Sequence, residues 1–157
     1  MTETLEPLLK KHTFLKDLDE PYLHRLVSCA KNVRFNEGDY LAKEGQDANV
    51  FYLIREGRAA IEIYAPEKGA IRIQTIEEGE VLGWSWLIEP YRWHFDVRAI
   101  EPIRAFEFDG TCLRGKCEED HDLGYELMKR FSRLIVERLH ATRLQVLDVY
   151  CNKQDKL

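Results

Sequence analysis

NEGDYLAKEGQDANVFYLIREGRAAIEI, residues 36–63, places short runs of apolar and β-branched residues between glycine turns. NEGD (36–39), EGQDAN (44–49) and REG (55–57) are turn signals. FYLI (51–54) and AAIEIY (59–64) between them are rich in residues that fit a pleated, half-buried surface. Moving outward, APEKG (65–69) and EEGE (77–80) punctuate the chain in the same way, and AIRIQTI (70–76), HFDVRAI (94–100) and IRAFEF (103–108) supply further strands. In AIEIY and IRIQTI apolar and polar residues alternate, so one face turns inward and the other meets water. Strand-sized runs at this spacing predict a small antiparallel barrel from Val33 to about Phe108.

On the N-terminal side, FLKDLDEPYLHRLVSCAKNVRF (14–35) offers Asp19 as N-cap, Pro21 in the first turn, and Leu23, Leu26 and Val27 at helical spacing. A helix over roughly 19–30 is expected. The segment up to about Lys11 reads as one or two helical turns capped by Thr2 or Thr4 and interrupted by Pro7. On the C-terminal side, residues 120–150 contain no proline and a single glycine, Gly124. Leu127, Phe131 and Leu134 form one stripe; Ile135, Leu139, Thr142, Val146 and Val149 repeat at spacings of four and three. The second stripe is the seam of a two-helix coiled coil, or both stripes belong to one wide core face of a monomer. A helix of about 30 residues spans about 45 Å, longer than such a barrel covers, which favours the seam.

With 157 residues, 45% of them hydrophobic, the chain is long enough for one domain with its own core. The organisation expected is a single domain over 1–157, divided into a core at 14–109 and a long helix at 119–150. A net charge of -5 and a pI near 5.6 give no overall field favouring nucleic acid. Cys29, Cys112, Cys117 and Cys151 read as reduced thiols of a cytoplasmic protein, and neither a signal peptide nor a membrane span is expected.

The run 36–63 resembles the cyclic nucleotide-binding domains of the catabolite activator and FNR-type regulators, with Gly38-Asp39, Glu44-Gly45 and Gly57 where that family turns. The likeness continues through Gly79, Gly83 and Val97-Arg98-Ala99, and RLHAT (138–142) resembles the dimer helix. The resemblance implies a mainly β (α+β) fold: an antiparallel jelly-roll β-barrel with N-terminal helices and a long C-terminal dimerisation helix. It also implies a non-enzymatic sensor, with no catalytic residue and no metal site, that passes a signal to that helix.

In the family a strand ends in Gly-Glu, a short helix follows, and Arg-x-Ala on the next strand completes the site. The helix N-terminus and the arginine hold the cyclic phosphate, and the glutamate takes the ribose hydroxyl. The matching stretch here is GEVLGWSWLIEPYRWHFDVRA (79–99). Anchored on Gly83, the glutamate position is Trp84; anchored on Val97-Arg98-Ala99, the arginine position is Trp93, followed by His94 and then Phe95 at the alanine position.

The candidate ligand-binding set is Gly83, Trp84, Ser85, Trp86, Arg92, Trp93, His94 and Thr142. Arg92 would enter the pocket only by a register shift, since one residue of slip turns a strand's side chains to the other face. Ser85 and the amides of residues 84–87 could form an anion nest. Trp84, Trp86, Trp93 and Phe95 either fill the cavity or form a stacking cage for a planar or cationic ligand. Thr142 falls where the family's dimer helix reaches a bound base, and reads equally as a polar break in a coiled-coil seam.

Only CNKQDKL follows Tyr150, so direct DNA binding by a helix-turn-helix is not expected. One barrel histidine does not make a cupin metal site, and Cys112 with Cys117 is half of an iron–sulfur site. Two readings remain. One is a homodimeric sensor, joined through Ile135, Leu139, Val146 and Val149, that takes a cyclic nucleotide or another small anionic or aromatic effector. The other is an interaction or scaffold protein, acting on a protein partner, that keeps the fold with a plugged pocket.

Overall fold

The computed structural model describes residues 2–155, with side chains for residues 5–151. The caps expected at Thr2 and Thr4 lie outside those side chains. Two compact units are present, divided between Glu119 and Asp120.

The first unit opens with α1 (Thr2–Lys10), a 3-10 turn at Thr13–Leu15, and α2 (Glu20–Val27). α2 begins where the sequence predicts. The Asp19 carbonyl accepts from the amides of Tyr22 and Leu23, both at 3.0 Å, while its carboxylate makes no capping bond. Leu23, Leu26 and Val27 are its buried face. The helix expected to reach residue 30 stops at Val27, because β1 (Ala30–Phe35) has already started its pairing.

The remaining strands are β2 (Tyr40–Ala42), β3 (Val50–Glu56), β4 (Ala59–Ala65), β5 (Gly69–Ile76), β6 (Val81–Leu82), β7 (Asp96–Ala99) and β8 (Ile103–Asp109). They form two antiparallel four-stranded sheets, ordered β1-β8-β3-β6 and β2-β7-β4-β5. This is the expected jelly roll, but the barrel is two sheets and not a closed ring. Core residues from both sheets, among them Tyr52, Ile54, Ile61, Val97 and Ala105, make one cluster between them. β3 is buried on both faces: Tyr52 and Ile54 turn into that cluster, whereas Phe51 stacks on Phe108 with ring centroids 4.7 Å apart. Gly57 reverses the chain at φ +90°, and a Cβ there would lie 2.2 Å from the Pro102 carbonyl oxygen.

Two features depart from the sequence reading. A separate helix, α3 (Gly110–Glu119), follows β8, and the carboxylate of Asp109 accepts from the Cys112 amide at 3.1 Å. The cysteines expected to be reduced include a disulfide, Cys29–Cys112, with Cα atoms 5.9 Å apart across 83 residues of sequence. The register of β1 on β8 is the reason. Ala30 faces Phe108, so Cys29 lies beside Asp109, whose amide donates to its carbonyl at 2.9 Å, and Cys112 follows one turn later.

The second unit is α4 (His121–Asp155), 35 residues long. Asp120 caps it, its carboxylate accepting from the Leu123 amide at 3.2 Å. Leu123, Leu127 and Phe131 are buried and Ile135 is half-buried, while Leu139, Thr142, Val146 and Val149 are exposed. No helix among the described residues is long and apolar enough to cross a membrane.

Candidate ligand site

Within the stretch 79–99, residues 83–95 link β6 to β7 as a loop packed onto the strands. β6 ends at Leu82, and Gly83 follows at φ +100°, a conformation that only glycine adopts cheaply. A Cβ at Gly83 would stand 2.7 Å from the tip of the Trp93 indole, so the ring lies against the bare Cα. Trp93 is 3% exposed and belongs to the cluster between the sheets, with Phe95 packed beside it at a centroid distance of 6.0 Å. The interior beside Gly83 is therefore occupied by an indole.

Strand alternation explains why Trp93 enters and Arg92 does not. Trp93, Val97 and Ala99 are buried, Phe95 is half-buried, and Arg92 and His94 are exposed. The register shift that would turn Arg92 inward does not occur. Backbone bonds fix this parity: the Trp93 amide donates to the Gln46 carbonyl at 3.0 Å, and the Gly45 amide to the Trp93 carbonyl at 2.8 Å. The Arg92 guanidinium donates to the Gly45 carbonyl at 2.9 Å and lies 3.3 Å from the Asp47 carboxylate.

No short helix follows Gly83. The Leu87 amide donates to the Trp84 carbonyl at 3.0 Å and the Ile88 amide to the Ser85 carbonyl at 3.4 Å, so of the expected nest at 84–87 the Leu87 amide is engaged in a turn. Ser85 is buried and Trp84 half-buried. Trp86 is fully buried and stacks on Phe51, 5.0 Å between centroids, and so lies on the face of β3 opposite to Trp93. The aromatics are divided between two sides of a sheet and do not form one cage. Thr142 is on α4, where its hydroxyl donates to the Arg138 carbonyl at 2.9 Å.

Two contacts around the loop are not visible in the sequence. Arg98, the arginine of Val97-Arg98-Ala99, makes a two-pronged pair with Glu62 at 3.0 and 3.2 Å, and Glu62 is 7% exposed. That pairing ties Arg98 to the β4–β7 pair, where Ile61 faces Val97. Arg114 of α3 holds the loop from outside, donating to the Trp86 carbonyl at 2.5 Å while its guanidinium lies 4.0 Å over the Tyr91 ring. No spacing rule pairs an arginine with a carbonyl 28 residues away. Among the described residues no group of three or more His, Cys, Asp or Glu could hold a metal ion.

Comparison with known proteins agrees with this architecture. The chain is 28% identical over 114 residues to human cGMP-dependent protein kinase 2, an alignment that covers 71% of the chain and 14% of the kinase. The chain thus spans a small part of the length of the curated relatives it matches. A cyclic nucleotide-binding domain from Methylobacillus flagellatus KT superposes with a TM-score of 0.77 at 18% identity, covering 93% of this chain and 82% of that one. The regulatory subunit of a cAMP-independent protein kinase A from Trypanosoma brucei superposes with a TM-score of 0.68 at 20% identity, covering 84% and 47%. Both of these are likenesses of fold. The family model described as the cyclic nucleotide-binding domain matches residues 32–120, from β1 through the cassette to the end of α3, and the chain belongs to that family.

Proposed function

We propose that the chain is a non-enzymatic, cytoplasmic regulatory module whose cassette is closed by its own Trp93, and whose output runs through α4 as a homodimer and onward to a protein partner. One observation carries the reading: the Trp93 indole rests on Gly83 where the resemblance places a phosphate-holding arginine. Any ligand there must first lift a side chain that is 3% exposed out of the core. Losing the packing of a buried tryptophan costs about 3–5 kcal/mol, which weakens binding by roughly two to three and a half powers of ten.

The ligand's polar partners are altered as well. Trp84 stands at the glutamate position, and Arg92 is spent on Gly45 and Asp47. The fold occurs in a regulatory subunit described as cAMP-independent, so a regulator on this scaffold need not respond to cAMP. The exposed stripe Leu139, Val146 and Val149, continuing from Ile135, supports pairing of α4 with a second copy.

Thermal-shift titration of the purified chain with cyclic AMP, cyclic GMP and cyclic dinucleotides tests the closed cassette. A ligand that binds the native state at 100 times its Kd adds about 2.7 kcal/mol of stability, a shift of several degrees for a chain of this size. The midpoint is expected to stay fixed at millimolar nucleotide. A dose-dependent rise would replace the closed-cassette reading with that of an effector sensor.

A further inference from the structure

We infer that Cys29 and Cys112 form a redox site: a disulfide open to exchange with a dithiol reductant, whose state decides how firmly α3, and with it the cassette loop, is held. The inference goes beyond the ligand question and holds whether or not the cassette admits an effector. Cys29 lies just past the C-cap of α2, is 6% exposed and leads into β1. Cys112 stands in the first turn of α3 and is half-buried, so the bond is approached from the α3 side.

The start of α3 is also held by the Asp109 cap and by Gly110, whose amide donates to the Asn49 carbonyl at 2.7 Å. Only Gly110 and Leu113 of its residues are buried. Its far end is tied to α2 by Lys116, whose ammonium donates to the Arg25 carbonyl at 2.6 Å and to the Ser28 hydroxyl, and by the solvent-facing pair Arg25–Glu119 at 3.3 Å. Exposed ion pairs hold an element weakly. The covalent link joins the first turn of this helix to the α2–β1 corner, which the bonds of Lys116 reach only from the far end.

Arg114 lies on the same helix, between that link and Lys116, and it grips the Trp86 carbonyl and the Tyr91 ring. Freeing α3 therefore loosens the loop 84–91. Glu119 ends α3 and His121 begins α4, so the chain that carries the proposed output starts where α3 stops. A disulfide in a reducing cytoplasm is characteristically transient and redox-sensing, and the cytoplasmic setting is part of the function proposed above.

The chemistry balances with a dithiol as sole co-reactant. Its thiolate attacks Sγ of Cys112, the Sγ–Sγ bond breaks, and Cys29 leaves as a thiolate that takes a proton. The dithiol's second thiol then attacks the mixed disulfide and releases Cys112 as a thiol. Two electrons pass to the protein, and the dithiol leaves as its own disulfide.

Hydrogen–deuterium exchange of the full chain, air-oxidised and then treated with dithiothreitol under native conditions, tests the site. On reduction, exchange over residues 110–119 and 84–91 is expected to rise about tenfold or more, while β3 and β8 stay protected. Cys112→Ser should show the raised exchange without reductant and no longer respond to it; Cys117→Ser should respond like the wild type. If Cys112→Ser does not fold, the wild-type comparison alone decides. The inference is overturned if both cysteines alkylate fully even after diamide oxidation, if the bond opens only at the rate of global unfolding, or if exchange over α3 is the same in both states.

Discussion

Replacing Gly83 with alanine probes the contact on which the site depends. Two costs add. The residue sits at φ +100°, where an L side chain is strained by about 1–2 kcal/mol. The new Cβ would also lie 2.7 Å from the Trp93 ring and 3.1 Å from its neighbouring ring carbon. The contact is with the tip of a side chain, but that side chain is 3% exposed and packed against Phe95, so it has little room to tilt. Overpacking of this kind costs about 1–3 kcal/mol, which gives about 2–5 kcal/mol in all for Gly83→Ala.

Gly38→Ala is the control, since Gly38 has φ +92° and no atom within 4 Å of its virtual Cβ. It should lose only the strain, about 1–2 kcal/mol. Trp93→Ala alone should cost about 3–5 kcal/mol. In the double variant the overpacking vanishes with the ring, so the pair should be less destabilising than the sum by about 1–3 kcal/mol. Urea unfolding followed by far-ultraviolet circular dichroism, with unchanged m-values, measures all four variants against the wild type. Additivity within about 0.5 kcal/mol would mean that the indole does not rest on Gly83.

His12 gives a pH-dependent prediction. It is 8% exposed, its Nδ1 accepts from the Phe14 amide at 3.2 Å, and its Nε2 meets the Ile54 carbonyl at 3.1 Å, an arrangement that suits the neutral Nε2–H tautomer. Burial pushes its pKa below the usual imidazole value, against the opposing hydrogen bond to Ile54. The unfolded chain then binds the proton more readily, so this contribution to stability is complete above about pH 6.5 and is lost as pH falls from there through the folded value. Unfolding midpoints of wild type and His12→Asn compared between about pH 5 and pH 7 should show a steeper fall in the wild type; parallel curves would sink the assignment. For the dimer, Ile135→Asp with Leu139→Asp should halve the mass seen by light scattering at micromolar concentration, and an unchanged dimer mass would place the interface elsewhere.

The strands and the long helix were legible because each repeats a period. IRIQTI becomes β5 as its alternation predicts, but the inward face does not follow, since Ile71 and Ile73 are exposed and only Ile76 is buried; the spacings of four and three beyond Ile135 become a continuous α4. The cassette was placed by the resemblance anchored on Val97-Arg98-Ala99, and the structure buries Trp93 while Arg92 and His94 stay exposed. α3 was not legible. GTCLRGKCEE carries one buried leucine and two glycines, and its helix is secured by the Asp109 cap and by bonds to α2 that no local pattern announces. The Cys29–Cys112 link was hidden for the same reason, since it depends on the pairing of Ala30 with Phe108. The tryptophans could be counted in sequence but not sorted. Only the stacking of Trp86 on Phe51 shows that it faces away from Trp93.

The central claim, that Trp93 occupies the place where a cyclic phosphate would sit, is tested most directly by a crystal structure determined at saturating cyclic AMP. The account predicts the Trp93 indole on Gly83, Arg92 still bonded to the Gly45 carbonyl, and no nucleotide between β6 and β7. A nucleotide bound there, with the indole swung away from Gly83, would contradict it.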